Sequence, residues 1–365
     1  MRKLVGQGVV GLRKPASSRP WIWLVFTLLL ISVQACQKVP ERVSTATQEG
    51  ASRALSQPSI TASATKSIPK SPTIAPPIFT QTYTPAPTAT KPTDTSTPEP
   101  TATTSPAVVF AALGDYGSGD QAEADVANLI LSWQPDFIIT LGDNNYPYGE
   151  ADHIDEAVGQ FFHSYIYPYK GSYGAGAKEN RFFPAIGNHD VMTHNGQAYY
   201  DYFTLPGNER YYDFTWGSVH FFALDTNDNE PDGVGASSIQ ASWLKRGLSA
   251  STSTWNIVYM HYPPYSSGLH GSTDWARWPY GEWGADAVLA GHDHTYERLE
   301  ENGLTYIVNG IGGSGIYYFV NILDGSLVRY RGDYGAMRVE ATDKHMRFEF
   351  INRNNEVVDW HEMQK

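Results

Sequence analysis

Phe137-Ile138-Ile139-Thr140-Leu141-Gly142-Asp143-Asn144-Asn145-Tyr146 joins a continuous apolar run to a pentapeptide of turn-forming and ligating residues. The run reads as a buried strand. A carboxylate just past its C-terminal end emerges at the rim of a sheet, where open α/β folds bind their ligands. Asp143 is therefore a candidate metal ligand. Tyr146, three residues on, can bend back and set a phenol beside that carboxylate, a pairing suited to a hard, oxidised metal such as ferric iron. Gly, Asp and Asn are also ordinary turn residues, so the pentapeptide takes its meaning from what surrounds it.

Upstream, residues 108–113 form an apolar run that ends in Gly114-Asp115-Tyr116-Gly117, so a second Asp leaves a strand end. Residues 121–133 carry helical spacing at Ala124, Ala127, Ile130 and Leu131, and Pro135 stops the helix. Strand, helix, strand predicts a right-handed crossover with parallel strands. Asp115 and Asp143 then lie side by side, close enough to share a cation.

Downstream, residues 148–181 are rich in Tyr, Phe and Gly and are expected to form a long surface loop or short helices over the site. Tyr165, Tyr167, Tyr169 and Tyr173 either line a substrate groove there or pack the loop. A short strand at 182–186 leads into Gly187-Asn188-His189-Asp190. Asn188 offers a carbonyl oxygen to a metal and His189 a hydrogen bond to an anion, or the segment is an Asn-capped turn. Strands at 211–214 and 219–224, a polar loop at 226–236 and a helix at 239–248 with Trp243, Leu244 and Leu248 facing inward come next.

The strand 255–260 delivers His261, and Pro263-Pro264 forbids regular continuation, leaving an irregular loop with Ser266, Ser267 and His270. The strand 287–291 delivers His292-Asp293-His294. In an extended chain residues i and i+2 point to the same side, so His292 and His294 reach one cavity while Asp293 points away and supports from outside. The segments 305–308, 327–330, 336–341, 346–351 and 356–360 are expected to form a second, mostly antiparallel sheet. The expected fold class is α/β, a four-layer α+β arrangement of two packed mixed β-sheets flanked by helices.

Composition bounds the function. The 365-residue chain has a net charge of −12, and no Lys/Arg block occurs past residue 19, which argues against a nucleic-acid surface. A single cysteine excludes an internal disulfide. Arg2, Lys3, Arg13, Lys14 and Arg19 precede the apolar stretch 21–33, the layout of a secretory signal. That stretch closes on Val33-Gln34-Ala35-Cys36, which resembles a bacterial lipoprotein cleavage box. Residues 1–36 are thus expected to be a signal peptide with Cys36 lipidated, or an uncleaved signal anchor. Either places the remainder outside the cytoplasm and tethered to a membrane. Residues 37–106, dominated by Ser, Thr, Pro and Ala, read as a disordered spacer, and 107–365 as one catalytic domain.

Five strand ends therefore offer Asp115; Asp143 and Tyr146; Asn188 and His189; His261; and His292 with His294. Seven donors with one shared carboxylate suit two cations roughly 3.5–4 Å apart, of the kind that clamp an in-line displacement at phosphorus.

The set GDYG, GDNNY, GNHD, VYMH and GHDH resembles the calcineurin-like metallophosphoesterases, and Tyr146 resembles specifically the purple acid phosphatases. The resemblance covers nearly all of 107–365. It implies Asp115, Tyr146 and His294 at a ferric site, Asp143 as bridge, and Asn188, His261 and His292 around a divalent ion (iron, zinc or manganese). It further implies His189 as the group that binds phosphate or protonates the leaving group, with His270 in the outer sphere. Some animal enzymes carry an acidic residue just before that last histidine, where this chain has Leu269. The activity implied is acid phosphatase, the hydrolysis of phosphate monoesters by in-line attack of a metal-bound hydroxide with inversion at phosphorus. The cations draw a phosphate dianion even to an acidic chain. The alternatives are a phosphodiesterase or nucleotidase with the same centre and, more remotely, a non-catalytic surface lipoprotein.

Overall fold

Strand β1 (Val108–Leu113) pairs in parallel with β2 (Phe137–Thr140), which pairs in parallel with β3 (Phe182–Pro184). The connecting helix, Gln121–Ser132, starts where the Asp120 carboxylate accepts from the Ala122 and Glu123 amides, satisfying N–H groups that lack partners within the helix. These observations come from a computed structural model, which describes residues 107–365. The expectations for 1–36 and 37–106, including lipidation of Cys36, lie outside the described residues. No helix among the described residues is long and apolar enough to cross a membrane.

Two mixed sheets are present, as expected, but their membership differs from the sequence reading. The first has the order β13-β12-β11-β1-β2-β3, with β11 Gly335–Ala341, β12 His345–Asn352 and β13 Val357–Gln364. The second has the order β10-β8-β9-β7-β6-β5-β4, with β4 Tyr212–Trp216, β5 Val219–Ala223, β6 Trp255–Met260, β7 Ala287–Ala290, β8 Tyr296–Glu301, β9 Leu304–Asn309 and β10 Ser326–Tyr330. The C-terminal strands thus do not form a sheet of their own. β9 extends the second sheet in parallel with β7, whereas β11 pairs antiparallel with β1. All of these segments share the same alternation, which specifies a buried face but not a neighbour.

Strand β8 escaped the sequence reading because its charges mask the alternation. Glu297 is buried and accepts from the Ser267 amide at 2.7 Å, and Arg298 reaches across to Asp359 of β13 at 2.7 Å. Asn188–Val191 forms a short helix rather than the Asn-capped turn that stood as the alternative to a ligand role.

The core sits between the sheets. Phe110 of β1 meets Phe221 of β5 edge to face at 5.0 Å, Phe137 of β2 meets Phe214 of β4 at 5.7 Å, and Tyr296 of β8 stacks on Phe350 of β12 at 4.2 Å. Alternate residues of the central parallel strands point the other way, so Phe222, Val258 and Val288 pack with Leu244 and Leu248 of the helix Ile239–Ala250. Burial on both faces is why these strands read as unbroken apolar runs. Trp243 faces inward as expected: it is half-buried, packs against this cluster and lies 4.9 Å from the Tyr211 ring.

The insertion contains short helical turns between Asp155 and Tyr165. Two of its four named tyrosines pack rather than line a groove: Arg181 lies over the Tyr165 ring, and Tyr169 donates to Asp155 at 2.7 Å. Asp155 also accepts from the Tyr202 hydroxyl at 2.8 Å and from the Ser172 amide at 2.8 Å. Burial by itself raises the Asp155 carboxyl, but these donors outweigh it and hold the group below its ordinary value of 3.8. A carboxylate depressed on folding stabilises above its unfolded value, and that stability is lost as pH falls through the folded value. Asp155→Asn is therefore expected to loosen 148–181 at neutral pH, with the difference from the parent closing as pH drops below 3.8. Limited proteolysis from neutral pH downward checks this, and a difference that widened on acidification would contradict it.

Candidate metal centre

The parallel strands of both sheets end at one place. Asp115 follows β1, Asp143 follows β2, Asn188 follows β3, His261 follows β6, and His292 and His294 follow β7. The sheet rims touch there. The His261 ring donates from Nδ1 to the Leu141 carbonyl of the facing sheet at 2.9 Å, and the Gly312 amide bonds the Gly114 carbonyl at 3.0 Å. This closeness accounts for two glycines of the motifs. A Cβ on Gly142, whose φ is +91°, would meet the His261 ring at 2.5 Å, and one on Gly291 would meet Asp115 Oδ2 at 2.5 Å.

Asp115, Asp143 and His292 all adopt left-handed backbone, with φ of 56°, 54° and 71°. Such conformations are uncommon for non-glycine residues and concentrate at functional sites. For His292 the consequence is a correction. The 292–294 segment is not extended, so the expected i, i+2 alignment does not operate, and His292 and His294 reach the centre by a bend instead.

All seven expected donors converge in two clusters. In the first, the Tyr146 hydroxyl lies 2.9 Å from Asp143 Oδ2, 3.3 Å from Asp115 Oδ1 and 3.1 Å from His294 Nε2. In the second, Asn188 Oδ1 lies 2.9 Å from His261 Nε2 and 3.0 Å from His292 Nδ1, and His261 Nε2 is 3.4 Å from Asp143 Oδ2. One atom, Asp143 Oδ2, belongs to both. Its partner oxygen Oδ1 accepts the His189 amide at 2.8 Å, and Asp115 Oδ2 accepts the His292 amide at 2.8 Å, so each carboxylate keeps one oxygen for the centre.

The chemistry of this donor set fits cations. With Nδ1 committed to the Leu141 carbonyl, a neutral His261 presents a lone pair from Nε2 toward the carbonyl oxygen of Asn188 and the carboxylate of Asp143. Acceptors that converge without shared protons repel one another unless a positive charge lies between them. The carboxylates also bias the protons of the site. Burial, then the charges of Asp115 and Asp143, push the Tyr146 phenol far up. Burial lowers His261, but Asp143 and Asp115 outweigh it and raise the group, while burial and then the neighbouring histidines drive His292 down.

The two histidines expected to act on substrate flank these clusters. His189 packs its ring on Tyr146 at 4.3 Å and hydrogen-bonds from Nδ1 to the Pro147 carbonyl at 2.6 Å, which turns Nε2 toward the centre, 4.0 Å from Asp143 Oδ2. His270 is exposed, with its ring 4.5 Å from that of His292. Asp293 holds the loop beneath it, accepting from the His270 amide at 2.8 Å, the Gly271 amide at 3.1 Å and the Ser266 hydroxyl.

Two residues of the centre carry no signal in the sequence analysis. Tyr317 stacks flat on the His294 ring at 4.1 Å. It follows a glycine-rich stretch that reads as a turn and carries no local signal. Asp190 closes the GNHD motif. It is buried and accepts from the Asn144 amide at 2.9 Å, the Asn144 side-chain amide at 2.8 Å and the Gly187 amide at 2.8 Å, clamping the Asp143 turn to the Asn188 turn. Burial and then the charge of Asp143 push its carboxyl up to about 7. Asp190→Ala leaves those N–H groups buried without partners. It is expected to cost about 3 kcal/mol of folding stability and to weaken metal affinity roughly 10–100-fold. Denaturant unfolding and metal titration measure the two effects, and unchanged values for both would contradict the clamp.

Comparison with known proteins adds to this geometry. Residues 108–296 match the family described as calcineurin-like phosphoesterase, and residues 303–360 match the iron/zinc purple acid phosphatase-like protein C family. The chain is 29% identical over 246 residues to tartrate-resistant acid phosphatase type 5 of Mus musculus, covering 57% of this chain and 73% of that one. It is 27% identical over 287 residues to a purple acid phosphatase of Glycine max, covering 70% and 60%. Among solved structures, purple acid phosphatase PPD1 from yellow lupin seeds shares the fold with a TM-score of 0.59 at 17% identity, over 71% of this chain and 54% of that one.

Proposed function

From the membership of this chain in the calcineurin-like phosphoesterase family, to which it belongs by the match over 108–296, we propose that it hydrolyses phosphate monoesters. Metal-dependent hydrolysis of phosphoesters is the activity of the enzyme; the monoester preference and the residue roles are our reading. The observation that carries it is the pair of donor clusters joined at Asp143 Oδ2. Asp115, Tyr146 and His294 would hold ferric iron, Asn188, His261 and His292 a divalent ion (iron, zinc or manganese), and Asp143 both. When bound, such a pair of ions lowers the pKa of water and offsets charge on the phosphoryl oxygens.

The protein's own groups do the rest. His189, fixed by its bond to the Pro147 carbonyl and its contact with Tyr146, binds a phosphate oxygen from Nε2. His270, on the loop held by Asp293, stands on the solvent side and delivers a proton to the departing alkoxide. The water oxygen bonds to phosphorus as the ester P–O bond breaks on the opposite side. The products are an alcohol and inorganic phosphate, with inversion at phosphorus.

The names of the relatives, tartrate-resistant and purple acid phosphatases, support the monoester reading. A monoester and a diester of the same phenol are expected to differ by at least about 100-fold in kcat/KM in favour of the monoester, or ~2.7 kcal/mol of transition-state stabilisation. A diester rate equal to or above the monoester rate would overturn the reading and leave a phosphodiesterase.

A further inference from the structure

Two loops bracket the exposed side of His270. One, 262–272, follows β6; the other, 312–323, lies between β9 and β10. Neither contains an Asp, Glu, Lys or Arg, in a chain whose net charge is −12. They are stitched together, with the Val320 amide bonded to the Ser267 carbonyl at 2.9 Å and the Leu323 amide to the Ser267 hydroxyl at 3.0 Å. Both are anchored to the centre. Asp293 accepts the His270 amide, and the Tyr317 amide bonds the His294 carbonyl at 2.8 Å while its ring lies 5.5 Å from that of His270.

On their outer side these loops leave large apolar groups in water: Leu269 is 40% exposed, Tyr318 55%, Val320 49% and Ile322 52%. Isolated exposed apolar residues are ordinary, but a grouped set beside a reaction centre marks a surface with an occupant. Because His270 faces the departing group, these loops meet whatever that group carries. The ion pairs made by the site residues, among the described residues, are all between histidine and carboxylate. A nucleotide or polyphosphate leaving group would bring further negative charge to a wall with no counter-ion.

We propose that the phosphate monoester turned over here carries an extended apolar leaving group, an alkyl-type phosphate whose chain lies along Leu269, Tyr318, Val320 and Ile322. This rests on the phosphomonoesterase reading. The reaction is the same hydrolysis: the bond from phosphorus to the alkyl oxygen breaks, the alkoxide takes a proton, and a fatty alcohol and inorganic phosphate leave.

The test uses the metal-loaded full chain and n-alkyl phosphates from ethyl to octyl, kept below micelle-forming concentrations. Each methylene fully taken from water contributes up to about fourfold. With partial burial, kcat/KM is expected to rise about 30-fold or more from ethyl to octyl, and the octyl-to-ethyl ratio to drop below about fivefold in the double variant Tyr318→Ser, Val320→Ser. Octylphosphonate, which cannot be hydrolysed, is expected to bind at least about tenfold tighter than ethylphosphonate by calorimetry. That measurement and the parent series decide the matter if the double variant does not fold. A flat series, or equal phosphonate affinities, on an enzyme that hydrolyses ethyl phosphate would overturn the inference and leave the phosphomonoesterase standing. Turnover of diesters with none of monoesters would remove both.

Discussion

Asp143→Asn is expected to lower kcat/KM on the order of 10³-fold or more, beyond the ~10²–10³ lost with a single preorganised electrostatic partner, and to leave the purified protein short of both metals. The reason is the shared position of one oxygen. Asp143 Oδ2 is 2.9 Å from the Tyr146 hydroxyl and 3.4 Å from His261 Nε2, so it is the only atom of the site common to both clusters. The amide keeps the shape but removes the charge, and in one orientation it presents N–H groups where cations belong. Asparagine is also the right choice for the backbone. Residue 143 has φ of 54°, a left-handed conformation that Asn accepts readily and Ala does not, so a loss of activity is separated from a loss of fold. Elemental analysis and kinetics on the same preparation check this. A variant that kept two metals per chain and near-parental rates would end the bridging role.

Tyr146→Phe is expected to abolish any visible absorption band of the metal-loaded protein and to reduce activity roughly 10–100-fold. Burial and the two neighbouring carboxylates oppose ionisation of this phenol. A tyrosinate here therefore requires a strong local positive charge, and ferric iron supplies one. Phe preserves the ring that packs on His189 at 4.3 Å and removes only the oxygen shared among Asp143, Asp115 and His294. If the parent protein is colourless and carries two divalent ions, the ferric assignment fails, while the family and the donor clusters stand.

Much of the centre was legible because each donor closes a short apolar run. Leu113, Leu141, Met260 and Ala290 are all fully or almost fully buried, and a polar group placed just beyond such a run has nowhere to go but the rim of a sheet. The residues that support the donors were less legible. Asp190 does its work through bonds to Asn144, 46 positions away in the chain, and Tyr317 acquires its place by stacking on His294. Neither relation leaves a mark in local composition or spacing. Strand β8 shows the same limit from another side, because Glu297 and Arg298 are matched by Ser267 and Asp359, partners that no window of sequence around them contains.

The sequence by itself determined that the chain builds two sheets and that their parallel strands end in oxygen and nitrogen donors. Backbone period and apolar character are local properties, and a residue carries them wherever it is placed. Only the tertiary structure decided which C-terminal strands join which sheet, that His292 reaches the site through a left-handed bend, and that one oxygen of Asp143 serves both clusters. Those outcomes depend on which rims come into contact. The bond from His261 to the Leu141 carbonyl forms only when the two sheets pack, and it is the meeting of the sheets that turns separate turn residues into one centre.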